Sequence, residues 1–395
     1  MARVAVVDAA EGTRVPFLRG ILTRSLSDAG LSFEQAYELA SKVRDDIAGE
    51  TELSTGALKK RVAKMLREMK LSEVLDNYEN GSHRRITTLV IDTNGQVNPF
   101  STSDHQRCLQ SIGLSLDKSA TITRAIWNHL LEKGIKEIHS NELGKMTYAE
   151  LKKTFGAKTA RNYLVWISYT RSGRPLILLL GGTTGCGKST IATEVAHRLG
   201  IIRTQSTDML REVMRMMTPK RLLPSLHTSS FNAWRLLPGQ SDKESVDEKL
   251  MIAGYTSQVE LLSLPCEAVV QRALRERVSL ILEGVHVHPS LAGKIDNDGG
   301  GAAIVSVMLA VVKQERLKRH LSGRGESAPG RGSQKYLSDF DSIWALQSAL
   351  LYEADVLGVP IVNNDNKDEA TDQIMRIVIA ALAEDCDVSA KSVFG

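Results

Sequence analysis

Gly182-Thr183-Thr184-Gly185-Cys186-Gly187-Lys188-Ser189 is the stretch on which the fold of this chain turns. It fits the pattern G-x-x-x-x-G-K-[ST] at every required position. Before it, Pro175-Leu-Ile-Leu-Leu-Leu180 is a short apolar run suited to a buried parallel strand; after it, Thr190 to Leu199 has helical spacing that ends at Gly200. Glycines between a strand and a helix let the backbone wrap a polyphosphate, so that N–H groups and the helix N-terminus face the anion. Gly182 through Thr190 (Thr190 opening the helix) are therefore the expected ATP contacts. Lys188 is expected to reach the β- and γ-phosphates as a catalytic residue, and Ser189 to hold Mg²⁺.

Outward from this loop, strand and helix signals alternate. Strand candidates fall at 176–181, 201–206, 278–283, 304–312 and 359–363, with helical patterns between them. With the loop above, that alternation predicts an α/β fold, a doubly wound, mainly parallel sheet of the P-loop type covered by helices on both faces. Pro265 is expected to start a second helix within 243–277, because proline suits the first helical position. The Gly-rich stretches 293–301 and 323–332 are expected loops.

Phosphoryl transfer depends on positioning and charge neutralisation, so the loop needs acidic and basic helpers. The apolar run Ser279-Leu-Ile-Leu-Glu283 ends in a carboxylate. A strand beside the first would bring Glu283 to Ser189 and the metal; the alternative is a carboxylate that merely caps the strand end. Asp208 follows the second strand candidate, and the C-terminal ends of strands form the ligand crevice of such a sheet. There it would orient or deprotonate an acceptor hydroxyl, or Thr207 or Asp208 would simply cap a helix. Arg211 and Arg215, one helical turn apart, form a candidate clamp for an anionic acceptor. Arg319 and Arg324, with Arg316 and Arg331, sit in or beside a Gly/Arg-rich loop that suits a closing lid; Arg319 and Arg324 are the candidate catalytic pair. His227 and His286 are candidates for hydrogen bonds to the acceptor. Glu283 and His286 lack a recognised metal-ligand spacing.

The front half carries an internal repeat. Val7-Asp8, Gly12, Pro16-Phe17, Leu26 and Gly30-Leu31-Ser32 recur as Ile91-Asp92, Gly95, Pro99-Phe100, Leu109 and Gly113-Leu114-Ser115, and Val43, Leu53 and Leu66 as Ile126, Ile138 and Leu151. Each unit reads as a short hairpin followed by helices. The expected division is 1–82, 83–165, a turn-forming connector at 166–174, and a catalytic domain at 175–395. Fifty basic and 46 acidic side chains give a net charge of +4, too weak to argue for nucleic acid but suited to anionic metabolites. The start, Met1-Ala-Arg-Val-Ala-Val-Val-Asp8, reaches an acid too soon for a signal peptide. No apolar run approaches the ~20 residues that span a bilayer, and the four cysteines are scattered without a metal or disulfide pattern. A cytoplasmic protein without a nucleic-acid or membrane partner is the expectation.

With these residues on the page, Gly182–Ser189, Ser206-Thr-Asp208-Met-Leu-Arg211, Leu226-His227-Thr-Ser-Ser-Phe-Asn-Ala-Trp234 and Leu282-Glu-Gly-Val-His286 resemble the 2-phosphoglycerate kinase family over about 175–384. Around Arg319–Arg324 the match loosens, and Trp344 stands where a basic residue is expected. Val6-Val-Asp8 through Pro16-Phe-Leu-Arg-Gly-Ile-Leu22 resembles the ATP-cone, a small nucleotide-sensing domain. The second copy keeps Pro99-Phe100 but reads Ser101-Thr-Ser-Asp-His105 where the first has Leu18–Leu22, the outline of a degenerate cone. The resemblance implies transfer from MgATP to 2-phospho-D-glycerate, giving 2,3-bisphosphoglycerate, with an adenine nucleotide as allosteric ligand of the front domain. Composition and spacing reach a Mg-dependent kinase of a small anionic alcohol. They leave open another polyol, polyol phosphate or nucleoside as acceptor, a nucleotide-gated switch protein, and assembly into a homo-oligomer.

Overall fold

Two short hairpins start the two halves of the front region. In the computed structural model, which describes residues 4–8, 13–69, 71–79, 88–237, 248–297, 301–327, 333–384 and 386–395, the first series is β1 (Ala5–Asp8), β2 (Thr13–Pro16), α1 (Arg19–Asp28), α2 (Phe33–Asp46), β3 (Glu52–Ser54), α3 (Thr55–Glu68) and α4 (Ser72–Glu79). The second is β4 (Leu89–Ile91), β5 (Val97–Pro99), α5 (Thr102–Ser111), α6 (Leu116–Glu132), β6 (Glu137–His139) and α7 (Ser140–Ser172). Each series closes a three-stranded sheet with its first strand in the centre, in the orders β2-β1-β3 and β5-β4-β6. Equivalent backbone bonds recur: Phe17 N–H to the Val4 carbonyl (2.8 Å) and Phe100 N–H to that of Thr88 (2.7 Å), then Ala5 to Thr51 (3.1 Å) and Leu89 to Lys136 (2.8 Å). Serine hydroxyls cap the helices that follow, Ser32 in a capping box with Gln35, Ser54 on Ala57 and Ser101 on Asp104. Gly12, part of the repeat in the sequence, lies outside the described residues.

The two series differ inside. Leu22, Ala40 and Val62 share the buried apolar core of the first. The residues in their places in the second are His105, Thr123 and Thr147. The His105 ring lies 2.9 Å from the Thr123 hydroxyl through Nδ1 and 3.0 Å from that of Thr147 through Nε2. Thr147 donates its own proton to the Leu143 carbonyl (2.8 Å), so it accepts from Nε2–H, and Thr123 donates to Nδ1. A polar triad thus replaces an apolar one, with both ring nitrogens satisfied. Burial lowers the His105 pKa to about 4.

By packing, the chain divides into two compact units, one of residues 1–91, 96–100 and 130–138, the other of 92–95, 101–129 and 139–395. Helix α7, kinked at Gly156 (φ 86°), runs on to Ser172, so much of the connector expected at 166–174 is helical. The turn itself narrows to Gly173–Pro175, where Gly173 takes φ 66° as the helix cap.

The rest of the chain follows as β7 (Leu176–Gly181), α8 (Lys188–Leu199), β8 (Arg203–Ser206), α9 (Thr207–Met217), α10 (Glu248–Arg275), β9 (Leu280–Glu283), β10 (Ala303–Ala310), α11 (Gln314–Ser327), α12 (Ser333–Ser338), α13 (Phe340–Val356), β11 (Ile361–Asn363), α14 (Lys367–Glu384) and α15 (Ala390–Phe394). Its sheet is wholly parallel, in the order β11-β10-β7-β9-β8, and takes one strand from each of the five expected stretches. Ile177, Leu179, Leu280 and Leu282 pack on Cys266, Val270 and Ala273 of α10, and the alternate residues Leu178, Leu180 and Ile281 are equally buried. Strands buried on both faces explain the unbroken apolar runs in the sequence.

Two expectations change. Pro265 does not start a helix: it lies inside α10, whose buried stripe of Gln258, Leu262, Cys266 and Val270 keeps its register through the proline. Continuous packing on the sheet outweighs the one backbone bond that proline removes. Residues 323–327, expected in a loop, continue α11, which Leu317 and Leu321 anchor against Gly185 of the phosphate loop.

Candidate active site

At the C-terminal end of the parallel sheet, β7 turns into α8 through Gly182–Gly187. Gly187 takes φ 85° as the N-cap of α8, and a Cβ there would lie 2.4 Å from the Asn364 amide. That amide donates to the Cys186 carbonyl (2.9 Å), so Asn364, just past β11, props the loop from behind. Lys188 is buried and donates from Nζ to the Thr183 carbonyl (2.8 Å), with the Cys186 sulfur at 3.9 Å. The Thr183 hydroxyl, within this loop, is buried without a hydrogen-bond partner among the described residues.

Strand β9 lies beside β7 with Leu180 opposite Glu283, and this register sets the Ser189 hydroxyl on Glu283 Oε1 at 2.9 Å. Glu283 is 5% exposed. Directly after it, Gly284 (φ 153°) lets the backbone pass Thr207 so closely that a Cβ would sit 1.7 Å from the threonine hydroxyl. This contact sets the start of α9 against the end of β9. The N-cap of α9 is Ser206, which accepts from the Asp208 N–H at 3.2 Å. Helix capping is therefore done by Ser206, leaving the Asp208 carboxylate facing outward, 63% exposed and 3.6 Å from Arg211.

A cavity of about 560 Å³ opens here, lined by Ser189, Glu283, Asp208, Arg211, Ser230 and Tyr336 among others. Arg211 enters it while donating to the Thr228 carbonyl (3.0 Å), which holds the guanidinium in place. Arg215 does not line it: one turn further along α9 it pairs with Glu212, and Glu212 lines the cavity instead. The Arg211–Arg215 clamp is thus not assembled. His227 is also absent from the lining; its Nε2 donates to the Thr218 carbonyl at 2.9 Å and ties down the segment after α9.

His286 is 2% exposed and bonded to protein on both nitrogens: Nδ1 to the Thr207 hydroxyl (3.3 Å), Nε2 to Ser230 (3.1 Å) and Gln258 (2.9 Å). It is a hub that ties α9, α10 and the 3₁₀ turn Ser230–Leu236 together behind the cavity rather than a group facing into it. Burial, reinforced by Arg211 and Lys188 and opposed by Asp208, lowers its pKa to about 3. Ser229, Ser230, Phe231 and Tyr336 were missed by sequence reasoning as lining residues; the hydroxyl run beside Phe231 was the available signal. The Phe231 and Tyr336 rings meet edge-on at 6.2 Å.

Of the arginines expected in a lid, Arg319 is exposed on α11, Arg316 pairs with Asp365 (3.4 Å), and Arg324 lies on the same helix with its side chain outside the described residues, as is all of Arg331. His320, not expected, reaches the loop from α11 and donates from Nδ1 to the Gly185 carbonyl (3.2 Å). Cys186 is buried and Thr190 exposed. Among the described residues no cluster of three or more His, Cys, Asp or Glu could cage a metal, and no helix is long and apolar enough to cross a membrane.

The two buried neutral histidines give the first prediction. Each titrates lower in the folded chain than its ordinary 6.5. Between the folded value and 6.5 the unfolded chain holds the extra proton, so stability rises with pH across that window. It is fully present above about 6.5 and is lost as pH falls toward 4 for His105 and toward 3 for His286. The loss for His105 is on the order of 3 kcal/mol. Urea midpoints should fall steadily from pH 6.5 to 4, less steeply in His105→Leu; a flat midpoint would contradict it.

No protein-family model matches the chain. A 2-phosphoglycerate kinase of Pyrococcus furiosus is 35% identical over 296 residues, covering 75% of this chain and 94% of that protein. Those of Methanopyrus kandleri and Methanothermobacter thermautotrophicus are each 33% identical, over 76% and 70% of this chain and 89% of each relative. A match of 296 residues is longer than the 221 of residues 175–395, so it takes in at least 75 residues of the front half.

Proposed function

The chain belongs to the 2-phosphoglycerate kinase family, and from that premise we propose that it transfers the γ-phosphoryl group of ATP to the free hydroxyl of 2-phosphoglycerate, giving 2,3-bisphosphoglycerate and ADP. The observation that carries this reading is the acceptor cavity, whose wall joins the Ser189–Glu283 pair to Asp208 and Arg211. The acceptor oxygen attacks the γ-phosphorus, the bond to the β,γ-bridging oxygen breaks, and ADP leaves with its electron pair. Asp208 takes the hydroxyl proton or aligns that hydroxyl. Arg211, Ser229 and Ser230 hold the acceptor's carboxylate and phosphate. The loop N–H groups, the Thr183 hydroxyl and Lys188 hold the ATP phosphates. On binding, Lys188 exchanges the Thr183 carbonyl for phosphate oxygens.

Ser189 and Glu283, two hard oxygen donors 2.9 Å from each other, fit Mg²⁺ and would hold it together with phosphate and water oxygens. Bound there, the ion would neutralise phosphate charge. Arg319, exposed on α11, would supply further positive charge. An adenine nucleotide is proposed as the ligand of the first repeat, where Val6, Phe17, Ile21, Leu58, Lys59 and Tyr78 line an apolar cavity of about 200 Å³. A cytoplasmic location follows from the use of ATP and a soluble metabolite.

The test is ATP consumption with Mg²⁺, with and without 2-phosphoglycerate, and product identification by phosphorus NMR. Acceptor-dependent ADP together with 2,3-bisphosphoglycerate is expected. Turnover of polyols or nucleosides while 2-phosphoglycerate stays inert would move the acceptor elsewhere, and slow hydrolysis with no acceptor would favour a switch.

A further inference from the structure

The opposite end of the sheet carries a second charged cavity. The first strands begin there in register: Leu176 N–H donates to the Ser279 hydroxyl (3.0 Å), and Ala303 N–H to the Pro175 carbonyl (2.9 Å). Beneath these starts lies a cavity of about 400 Å³, lined by Arg174, Arg275, Arg277, Asp296, Asn297 and Gln271 among others. Its walls are preformed. Asn297 makes two bonds to the Ala302 backbone (3.0 and 3.1 Å), and Gln271 donates to the Asp296 carbonyl (2.9 Å).

Among the described residues, the guanidinium groups of Arg174, Arg275 and Arg277 line this cavity with the carboxylate of Asp296. Among the described residues, Arg275 and Arg277 have no ion-pair or hydrogen-bond partner for their side chains. The acid between them, Glu276, is engaged elsewhere by Arg203 and Arg272. Arg277 is also the one non-glycine residue with a positive φ (51°) among the described residues. Its N–H bonds the Leu274 carbonyl (3.1 Å) and that of Val278 the Ala273 carbonyl (3.0 Å), a Schellman ending of α10 whose left-handed position ordinarily belongs to glycine. A strained arginine kept where glycine would be relaxed points to a use for its side chain.

We propose that this cavity binds a small phosphorylated anion, at a site separate from the phosphate loop and the acceptor cavity. Guanidinium groups from two segments, Arg174 before β7 and Arg275 with Arg277 before β9, grip the phosphate oxygens. Asp296 accepts from a hydroxyl of the ligand, which favours a phosphorylated hydroxy acid over free phosphate. The site does not depend on the identity of the kinase acceptor.

The test uses the full-length protein saturated with MgADP, so that the phosphate loop is filled. Inorganic pyrophosphate and 3-phosphoglycerate are titrated calorimetrically into wild type, Arg277→Gly and Arg275→Ala/Arg277→Gly. Wild type should show a saturable site, weakened at least about tenfold in Arg277→Gly and lost in the double variant, with MgADP affinity unchanged. Arg277→Gly should at the same time melt about 1–3 °C higher, because glycine relieves the left-handed backbone. Tighter binding of 3-phosphoglycerate assigns the site to a phosphate ester, and binding of pyrophosphate alone to free phosphate anions. Undiminished binding in Arg277→Gly, or none to wild type at millimolar concentration, would overturn the proposal.

Discussion

Lys188→Met is expected to lower kcat by a factor on the order of 10³ while the protein stays folded. Lys188 opens α8 at the end of the glycine loop, and its ammonium group is held on the Thr183 carbonyl at 2.8 Å. Methionine is an unbranched side chain of similar reach without the charge, so it can fill the buried lysine's place. The Thr183 carbonyl loses the lysine but keeps the longer bond from the Cys186 N–H (3.5 Å), so the cost is about 1 kcal/mol; a modest fall in melting temperature should therefore accompany the loss of turnover. The two effects separate by measuring kcat on protein whose circular dichroism matches wild type. Turnover within tenfold of wild type would remove Lys188 from the catalytic set.

Asp208→Asn should cost about 10²- to 10⁴-fold in kcat and leave the KM for ATP within about twofold. The substitution is clean because Ser206, not Asp208, caps α9. Asparagine keeps the shape and can still meet Arg211, but it cannot take a proton. Steady-state kinetics with ATP and acceptor varied separately would check it. Parallel losses in turnover and ATP affinity, or a drop in melting temperature without a drop in kcat, would instead mark Asp208 as structural.

The phosphate loop and the five strands were legible because short-range chemistry sets them: glycines where the backbone must turn around an anion, and apolar runs where both faces of a sheet are covered. Glu283 was legible for a related reason, since a carboxylate ending such a run in the strand beside β7 has few other places to go. The acceptor wall was not. Phe231 and Tyr336 come from distant segments, and their meeting is decided by how α10 and α13 pack. Arg215 shows the limit of periodicity, which puts it on the same face of α9 as Arg211 but does not reveal that the cavity ends one turn earlier. His286 and His227 were read as binding groups because a histidine near a strand end can be one. Only tertiary packing shows that the nitrogens of His286 are occupied by Thr207, Ser230 and Gln258, and that Nε2 of His227 is bonded to Thr218. Pro265 misled because helix-breaking is a local tendency, while α10 is held along its length by the sheet.

A chain that carries the same series of elements twice runs the risk that helices of one copy settle on the other as it folds. The triad of His105, Thr123 and Thr147 makes that error costly. Were α5 to pack on the first copy, the His105 ring would meet Ala40 and Val62, and its two nitrogens would be buried without partners. Were α1 to pack on the second, Leu22 would strand the Thr123 and Thr147 hydroxyls. Each stranded group costs about 1–3 kcal/mol, so a few such groups amount to a sizeable part of a domain's whole stability. Having one greasy interior and one hydrogen-bonded interior therefore labels the copies, and each helix recognises the partners it was made with.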